Sequence, residues 1–150
     1  MQLIIDKENN IKKYLDKYEI IYNDYGKGYI VNNDFFFNKS NSNNMSVLLI
    51  HDKECGIDIE KIRVYDEIMA TKILSSEEYQ FVNSRKKKSY YFTLLWTLKE
   101  AYLKAIGTGI NIKLNSISFV CNNRLIYKLY GYKFKIIKIQ NYIISMCLGD

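Results

Sequence analysis

The sequence contains no proline and only one histidine, and both absences narrow what the chain can do. Without proline, its turns depend on glycine, asparagine, aspartate and serine. The single histidine, His51, follows an apolar stretch and has no Ser-His-Asp arrangement, zinc-ligand spacing or phosphate-binding loop around it. We therefore expect an exposed or capping role for His51 and no histidine-based catalysis.

Disulfide and membrane signals are also scarce. The cysteines Cys55, Cys121 and Cys147 are odd in number and far apart, which favours buried free thiols in a reducing compartment over a disulfide framework. The N-terminus lacks a charged-then-apolar signal pattern, and no apolar run approaches membrane-spanning length. These features predict a cytoplasmic protein without a membrane partner.

The remaining composition is that of one globular domain with a basic surface. The chain has 150 residues, of which 48% are hydrophobic and 25% charged, with a net charge of +6. This charge favours an acidic partner or a polyanionic ligand. Apart from Arg85-Lys86-Lys87-Lys88, which is typical of a solvated loop or helix end, the positive residues are scattered. A nucleic-acid-binding module fits only the charge, and we do not expect nucleic acid as a partner.

Periodicity predicts strands at both ends of the chain and helices between them. A loop is expected at 38–44, where asparagine and serine are concentrated. Strands are expected at 1–5, 19–22, 29–31, 46–50, 55–60, 116–120, 124–130, 132–139 and 142–148, and helices at 9–18, 63–74, from 75 onwards and at 89–106. The predicted fold class is α+β, a helical layer packed on a mainly antiparallel sheet in a single domain, 1–150.

The strand Gly56-Ile57-Asp58-Ile59-Glu60 carries two carboxylates on one face. Because side chains alternate along a strand, Ile57 and Ile59 point to the opposite face and belong in the core. Neighbouring carboxylates repel each other unless a cation lies between them, and oxygen ligands of this kind suit Mg²⁺. A solvated strand end is the alternative interpretation of the same pattern.

The helix predicted at 89–106 has a polar stripe opposite its apolar face. Trp96, Glu100 and Lys104 follow one another at four-residue spacing, and Leu103 lies on the same side. Glu100 and Lys104 could form an ordinary surface ion pair, but an exposed tryptophan beside it favours the half-covered wall of a cleft. Lys99 falls between the stripe and the core, so its role stays open.

The two segments resemble the signature motifs of the 4′-phosphopantetheinyl transferases, both in sequence and in their separation. These are Gly56-Ile57-Asp58-Ile59-Glu60 and the segment from Trp96 to Gly109. Upstream, Tyr25-Gly26-Lys27 and Phe36-Phe37-Asn38-Lys39-Ser40-Asn41-Ser42 resemble further motifs of the larger class of that superfamily, which activates nonribosomal peptide and polyketide synthetases. The likeness runs from about residue 22 to the C-terminus.

The resemblance implies an enzyme that transfers the 4′-phosphopantetheine arm of coenzyme A to a serine of an apo carrier protein. Adenosine 3′,5′-bisphosphate would be the leaving group, and the carrier protein would be acidic. By the same resemblance, Glu100 and Lys104 would be the catalytic residues. Glu100 would accept the serine proton, directly or through a metal-bound water, and Lys104 would neutralise charge that develops on the diphosphate. The implied Mg²⁺ ligands are Asp58, Glu60 and Glu100, and the implied coenzyme A contacts are Lys27, Ser40, Asn41 and Lys104.

Two departures from the family pattern leave alternatives open. The family usually has Ser-His-Ser where this chain has Ser40-Asn41-Ser42, so a possible cation is lost. The larger class is built from two similar halves, whereas here about 1–54 resembles an abridged first half and about 55–150 the second. Met1–Val31 could suffice as a miniature first half, a second copy could complete the site, or coenzyme A could bind weakly. Monomer and homo-oligomer are therefore both open, and so is a non-catalytic relative that binds coenzyme A or a carrier protein.

Overall fold

Two antiparallel sheets lie side by side and one long helix crosses the second of them. The computed structural model describes residues 1–7, 10–109 and 112–150. The strands are β1 (Gln2–Lys7), β2 (Ile20–Tyr22), β3 (Gly28–Ile30), β4 (Phe36–Ser42), β5 (Met45–His51), β6 (Cys55–Lys61), β7 (Val120–Cys121), β8 (Arg124–Leu125), β9 (Lys128–Leu129), β10 (Tyr132–Ile139) and β11 (Tyr142–Gly149). The helices are α1 (Glu67–Ile73), α2 (Ser76–Asn83) and α3 (Lys88–Ile106).

The strand order defines an N-terminal sheet, β1-β5-β4, and a C-terminal sheet, β6-β11-β10-β9. Two hairpins, β2-β3 and β7-β8, stand beside them. Every strand pair in the described part of the chain is antiparallel. The predicted α+β class, with helices packed on mainly antiparallel sheets, is confirmed.

The main core forms around α3, which packs on β6 and β11. A side chain at Gly56 would overlap the Ala101 carbonyl oxygen, so this glycine lets helix and strand approach closely. On the other face of β6, Ile57 and Ile59 are fully buried against Val47 and Leu49 of the N-terminal sheet. The predicted division of β6 into an apolar and an acidic face is confirmed.

A short helix covers the N-terminal sheet, in contrast to the long α3 on the C-terminal sheet. A 3-10 helix, Ile11–Tyr14, replaces the longer helix expected at 9–18, and Asn10 makes no side-chain cap that would start an α-helix. Asn9, the other expected cap, lies outside the described residues. A small second core forms here, consisting of Ile11, Leu15, Ile30, Phe37 and Leu48.

Three other boundaries differ from the sequence prediction. Most of the expected loop at 38–44 is strand β4, whose polar side chains find partners on β6 instead of water. Helix α1 begins at Glu67, because the carboxylate of Asp66 accepts a hydrogen bond from the Met69 amide and caps it there. Between α3 and β10, two-residue strands and a 3-10 helix, Leu114–Ser116, replace the two longer strands expected.

Two predicted helix ends are confirmed. Ser75 and Glu78 form a reciprocal capping box at the start of α2, and α3 ends at Gly107 in the left-handed conformation, at φ 67°. The expectation of buried free thiols is confirmed for Cys55 and Cys147 and is wrong for Cys121, which is exposed at the end of the short strand β7. Within the described ranges, no helix is both long and apolar enough to cross a membrane.

Candidate active site

A cleft of about 270 Å³ opens between the β2-β3 hairpin, strand β4 and the C-terminal half of α3. Glu100 and Lys104 line it from α3, and Lys39 lines it from β4. Tyr25 lines it from the hairpin turn. The half-covered wall predicted for the polar stripe of α3 is therefore present, and the opposite wall comes from the same chain.

Asp58 projects from β6 toward α3 and is almost completely buried, with 4% of its surface exposed. Its Oδ1 atom accepts hydrogen bonds from the Lys104 ammonium, at 2.6 Å, and from the Ser40 hydroxyl, at 2.8 Å. Its Oδ2 atom is buried and has no hydrogen-bond partner among the described residues. A buried carboxylate oxygen without a donor is costly unless a ligand or water supplies the missing interaction.

Glu60, two residues along the same face, lies nearer the surface. Its Oε2 atom accepts from the Ser42 hydroxyl at 3.0 Å and from the Arg63 guanidinium at 2.9 Å. Glu100 is half-buried on α3. The described residues contain no group of three histidine, cysteine or carboxylate side chains already gathered as a metal site, so these three carboxylates share a region without converging.

The electrostatics of this region favour an added cation. Burial raises the pKa of the Asp58 carboxyl, and Lys104 and Ser40 offset part of that rise. Burial also raises the pKa of Glu100, and the negative charges of Asp58 and Glu60 add to it. Carboxylates that disfavour one another's ionisation are relieved by a bound cation. The donor set consists of oxygens only and so fits Mg²⁺.

Side chains, rather than backbone, join β4 to β6 at this point. Asn38 Oδ1 accepts from the Ile57 amide at 2.9 Å, and Ser42 Oγ accepts from the Lys61 amide at 3.2 Å. With the Ser40–Asp58 bond, these contacts hold three alternate residues of β4 against the acidic strand. The placing of these polar residues at every second position was the signal for a strand in a segment that we expected to be a loop. Ser42, which contacts the acidic strand, is a residue that the sequence did not single out.

Two of the expected coenzyme A contacts, Lys27 and Asn41, do not present a free polar group to the cleft in this structure. Lys27 is 5% exposed, and its ammonium donates to the Ala105 carbonyl at the end of α3, with Glu54 at 4.0 Å. Burial lowers the pKa of Lys27, and the Glu54 charge opposes this. Asn41 is exposed on the face of β4 opposite to Ser40 and does not line the cleft. Both assignments, which rest on the family resemblance, stay predictions.

The open question about Lys99 is answered by its surroundings. Lys99 is fully buried, 2.6 Å from the carboxylate of Glu78, and donates to the carbonyls of Ile73, Leu114 and Ile117. Glu78 in turn accepts from the Phe119 amide. This pair ties α2, α3 and the segment after α3 together, away from the cleft.

With this geometry established, comparison with known proteins identifies the family. The family model described as the 4′-phosphopantetheinyl transferase superfamily matches residues 54–147, more than half of the chain. The chain belongs to this superfamily. The matched stretch contains Asp58, Glu60, Glu100 and Lys104.

Individual superfamily members match a similar share of the chain. The 4′-phosphopantetheinyl transferase gsp of Aneurinibacillus migulanus is 41% identical over 96 residues, which is 63% of this chain and 40% of that protein. The 4′-phosphopantetheinyl transferase Sfp of Bacillus subtilis strain 168 is 33% identical over 109 residues, covering 69% of this chain and 49% of Sfp. The chain thus spans less than half the length of these curated relatives.

A solved structure supports the fold. The crystal structure of the holo-[acyl-carrier-protein] synthase of Thermotoga maritima superposes with a TM-score of 0.53 at 22% identity. The superposition covers 65% of this chain and 64% of that one. At this identity the match establishes a shared fold.

Proposed function

We propose that the chain is a compact, Mg²⁺-dependent 4′-phosphopantetheinyl transferase that acts on a serine of an apo carrier protein. The observation that carries the proposal is that Glu100 and Lys104 line the cleft while Asp58 pairs with Lys104 beside it. Glu60 adds to the negative charge near Glu100, and all four residues lie inside the stretch that matches the superfamily. Coenzyme A is the proposed donor of the arm. An acidic carrier protein complements the net charge of +6.

Asp58, Glu60 and Glu100 are the residues that would hold Mg²⁺. The unpartnered Asp58 Oδ2 is a ready ligand atom, and Glu60 is held only by a hydroxyl and a partly exposed arginine. Such an exposed pair contributes at most about 1 kcal/mol, so Glu60 can turn toward a cation at small cost. When bound, the ion would neutralise charge on the diphosphate of coenzyme A.

The protein side chains account for the rest of the chemistry. Transfer forms a bond from the carrier serine oxygen to the phosphorus that bears pantetheine, and breaks the bond from that phosphorus to the bridging oxygen. Adenosine 3′,5′-bisphosphate leaves with the electron pair. Glu100 accepts the serine proton, directly or through a metal-bound water. Lys104, beside Asp58, stabilises the negative charge on the phosphate oxygens.

Both walls of the cleft come from one chain, which supports the first of the three alternatives for the site. Residues 1–54 supply Lys39 and Tyr25, and residues 55–150 supply Glu100 and Lys104. A second copy is therefore not needed to form the cleft. We propose that the short first segment serves as a miniature first half within a single domain.

The competing proposal is a non-catalytic relative that binds coenzyme A or a carrier protein. Asn41 favours it, because asparagine at this position removes a possible cation. The charged residues at and beside the cleft favour the enzyme, since a binding protein has no need of three neighbouring carboxylates and a lysine.

The test is intact-protein mass spectrometry on a panel of apo carrier proteins incubated with this chain, coenzyme A and Mg²⁺. Addition of one phosphopantetheine to a carrier, abolished by EDTA and restored by excess Mg²⁺, is the expected result. If no carrier gains mass while coenzyme A still binds in calorimetry, the non-catalytic relative is the correct proposal.

A further inference from the structure

Three lysines line the cleft, and their ammonium groups differ in what they contact. They are Lys27 from the hairpin, Lys39 from β4 and Lys104 from α3. An anionic ligand needs cations that are free to contact it, so the partners of these three ammonium groups decide which of them can bind a phosphate.

The Lys27 ammonium already has a hydrogen-bond partner within the fold. It caps the end of α3 by donating to the Ala105 carbonyl, and the Lys27 side chain runs along Gly107. The same turn is fastened by Asn23, whose side-chain amide donates to the Gly107 carbonyl at 3.1 Å. A lysine at the C-terminal end of a helix compensates the partial negative charge of the unpaired carbonyls. Lys27 therefore positions the hairpin wall and does not offer its charge to the cleft.

The Lys104 ammonium also has partners, at the inner end of the cleft. It lies 2.6 Å from Asp58 Oδ1 and 2.9 Å from Ser40 Oγ. These contacts place its charge beside the proposed metal ligands. It can contact the part of a ligand that lies against Asp58. A second phosphate farther out in the cleft needs a different cation.

Lys39 is that cation. It is exposed, it lines the cleft, and within residues 1–7, 10–109 and 112–150 it makes no side-chain hydrogen bond, ion pair or aromatic contact. Phe37, two residues earlier on the same face of β4, packs under Gly28 of the hairpin. This contact fixes the strand face from which Lys39 projects.

We propose that Lys39 is the anion-binding residue of the cleft, contacting a phosphate group of coenzyme A. Asn41 lies two residues farther along the same face, outside the cleft, in place of the histidine expected there. Lys39 thus supplies, from a neighbouring position, the cation that the Ser40-Asn41-Ser42 sequence lacks. The inference rests on the proposed function, because it takes coenzyme A as the ligand.

Calorimetric titration of coenzyme A in the presence of Mg²⁺ tests this inference on three proteins. Lys39→Met removes the charge, and Lys135→Met removes an equal charge from an exposed position on β10, outside the cleft. We expect Lys39→Met to raise the Kd for coenzyme A about tenfold, the scale of one charge-assisted hydrogen bond. Lys135→Met should leave it within about twofold of the wild type, because distant surface charges are screened by salt.

Dephospho-coenzyme A, which lacks the 3′-phosphate, then tells which phosphate Lys39 contacts. If the effect of Lys39→Met disappears with this ligand, the contact is the 3′-phosphate, and if it persists, the contact is the diphosphate. Both results support the proposal. Equal affinity of Lys39→Met and Lys135→Met for coenzyme A would overturn it while leaving the proposed function intact. A wild-type chain that binds no coenzyme A would overturn both.

Discussion

The two ends of this chain build their parts of the cleft by different means. The C-terminal sheet holds its residues through continuous packing of α3 on β6 and β11, with Leu95, Leu98 and Ala101 fully buried. The N-terminal sheet contributes a strand and a hairpin that reach the site through polar side chains, among them Asn23, Lys27 and Ser40. The carboxylates proposed for the chemistry therefore lie on the rigid part, and the proposed anion contact lies on the lightly packed part.

This difference explains how a short first segment can still complete a cleft. Holding metal ligands and a base requires fixed geometry, which a well-packed helix and strand provide. One wall of a ligand cleft requires only a few anchored side chains. The comparison predicts that substitutions in the C-terminal core destabilise the whole fold, whereas those at the junction cost less.

The largest effect is expected at the buried ion pair of the C-terminal core. Lys99→Met leaves Glu78 charged without its partner in a site that excludes water, and three carbonyls lose their donor. We expect a loss of about 4 kcal/mol in the free energy of unfolding, measured by urea denaturation. Adding Glu78→Gln to this variant should cost less than Glu78→Gln alone, because no charge remains unpaired. Strictly additive costs would show that the two groups are not coupled.

A smaller loss is expected where α3 crosses β6. Gly56→Ala places a methyl group against the backbone of Ala101 and Ala105, which can move away only if the helix shifts. The expected cost is about 3 kcal/mol in the same denaturation experiment. Gly131→Ala is the control, since a side chain there meets open space and costs about 1 kcal/mol for its positive φ alone. Equal costs for the two would mean that α3 and β6 are not in close contact.

The smallest loss is expected at the junction. Lys27→Met removes the donor to the Ala105 carbonyl and should lower the free energy of unfolding by about 1–2 kcal/mol. Hydrogen exchange should accelerate at the amides of β3, because the hairpin loses one of the polar contacts that hold it to the end of α3. Lys39→Met serves as the control and should stay within about 0.5 kcal/mol of the wild type, since Lys39 has no partner within the described ranges. A fully stable Lys27→Met protein would remove Lys27 from the positioning role.

The sequence predicted the C-terminal part well because its signals are periodic and local. The alternation of β6 and the four-residue spacing of Glu100 and Lys104 each place side chains on a definite face. The capping box at Ser75 and the stop at Gly107 are likewise encoded by a few neighbouring residues. Where the pattern is this regular, local preference and tertiary packing agree.

The junction was harder to predict because its partners lie far apart in the chain. Ser40 meets Asp58 across 18 residues, Lys27 meets Ala105 across 78, and Asn23 meets Gly107 across 84. An asparagine- and serine-rich stretch is typical of a loop, and only the contact with β6 makes it a strand. The family resemblance suggested that Lys27 contacts the ligand, whereas its burial at the end of α3 became apparent only in three dimensions.

The most direct test of the proposed function compares the wild type with Glu100→Gln in a mass-spectrometric time course of carrier-protein modification. Both are assayed with coenzyme A and Mg²⁺. Because Glu100 is half-buried and faces the cleft, the variant should remain folded, with an unchanged circular dichroism spectrum. If the proposed function is correct, the wild type transfers the arm and the variant, which lacks the proton acceptor, does so at least roughly a hundredfold more slowly. Equal rates for the two proteins would contradict it.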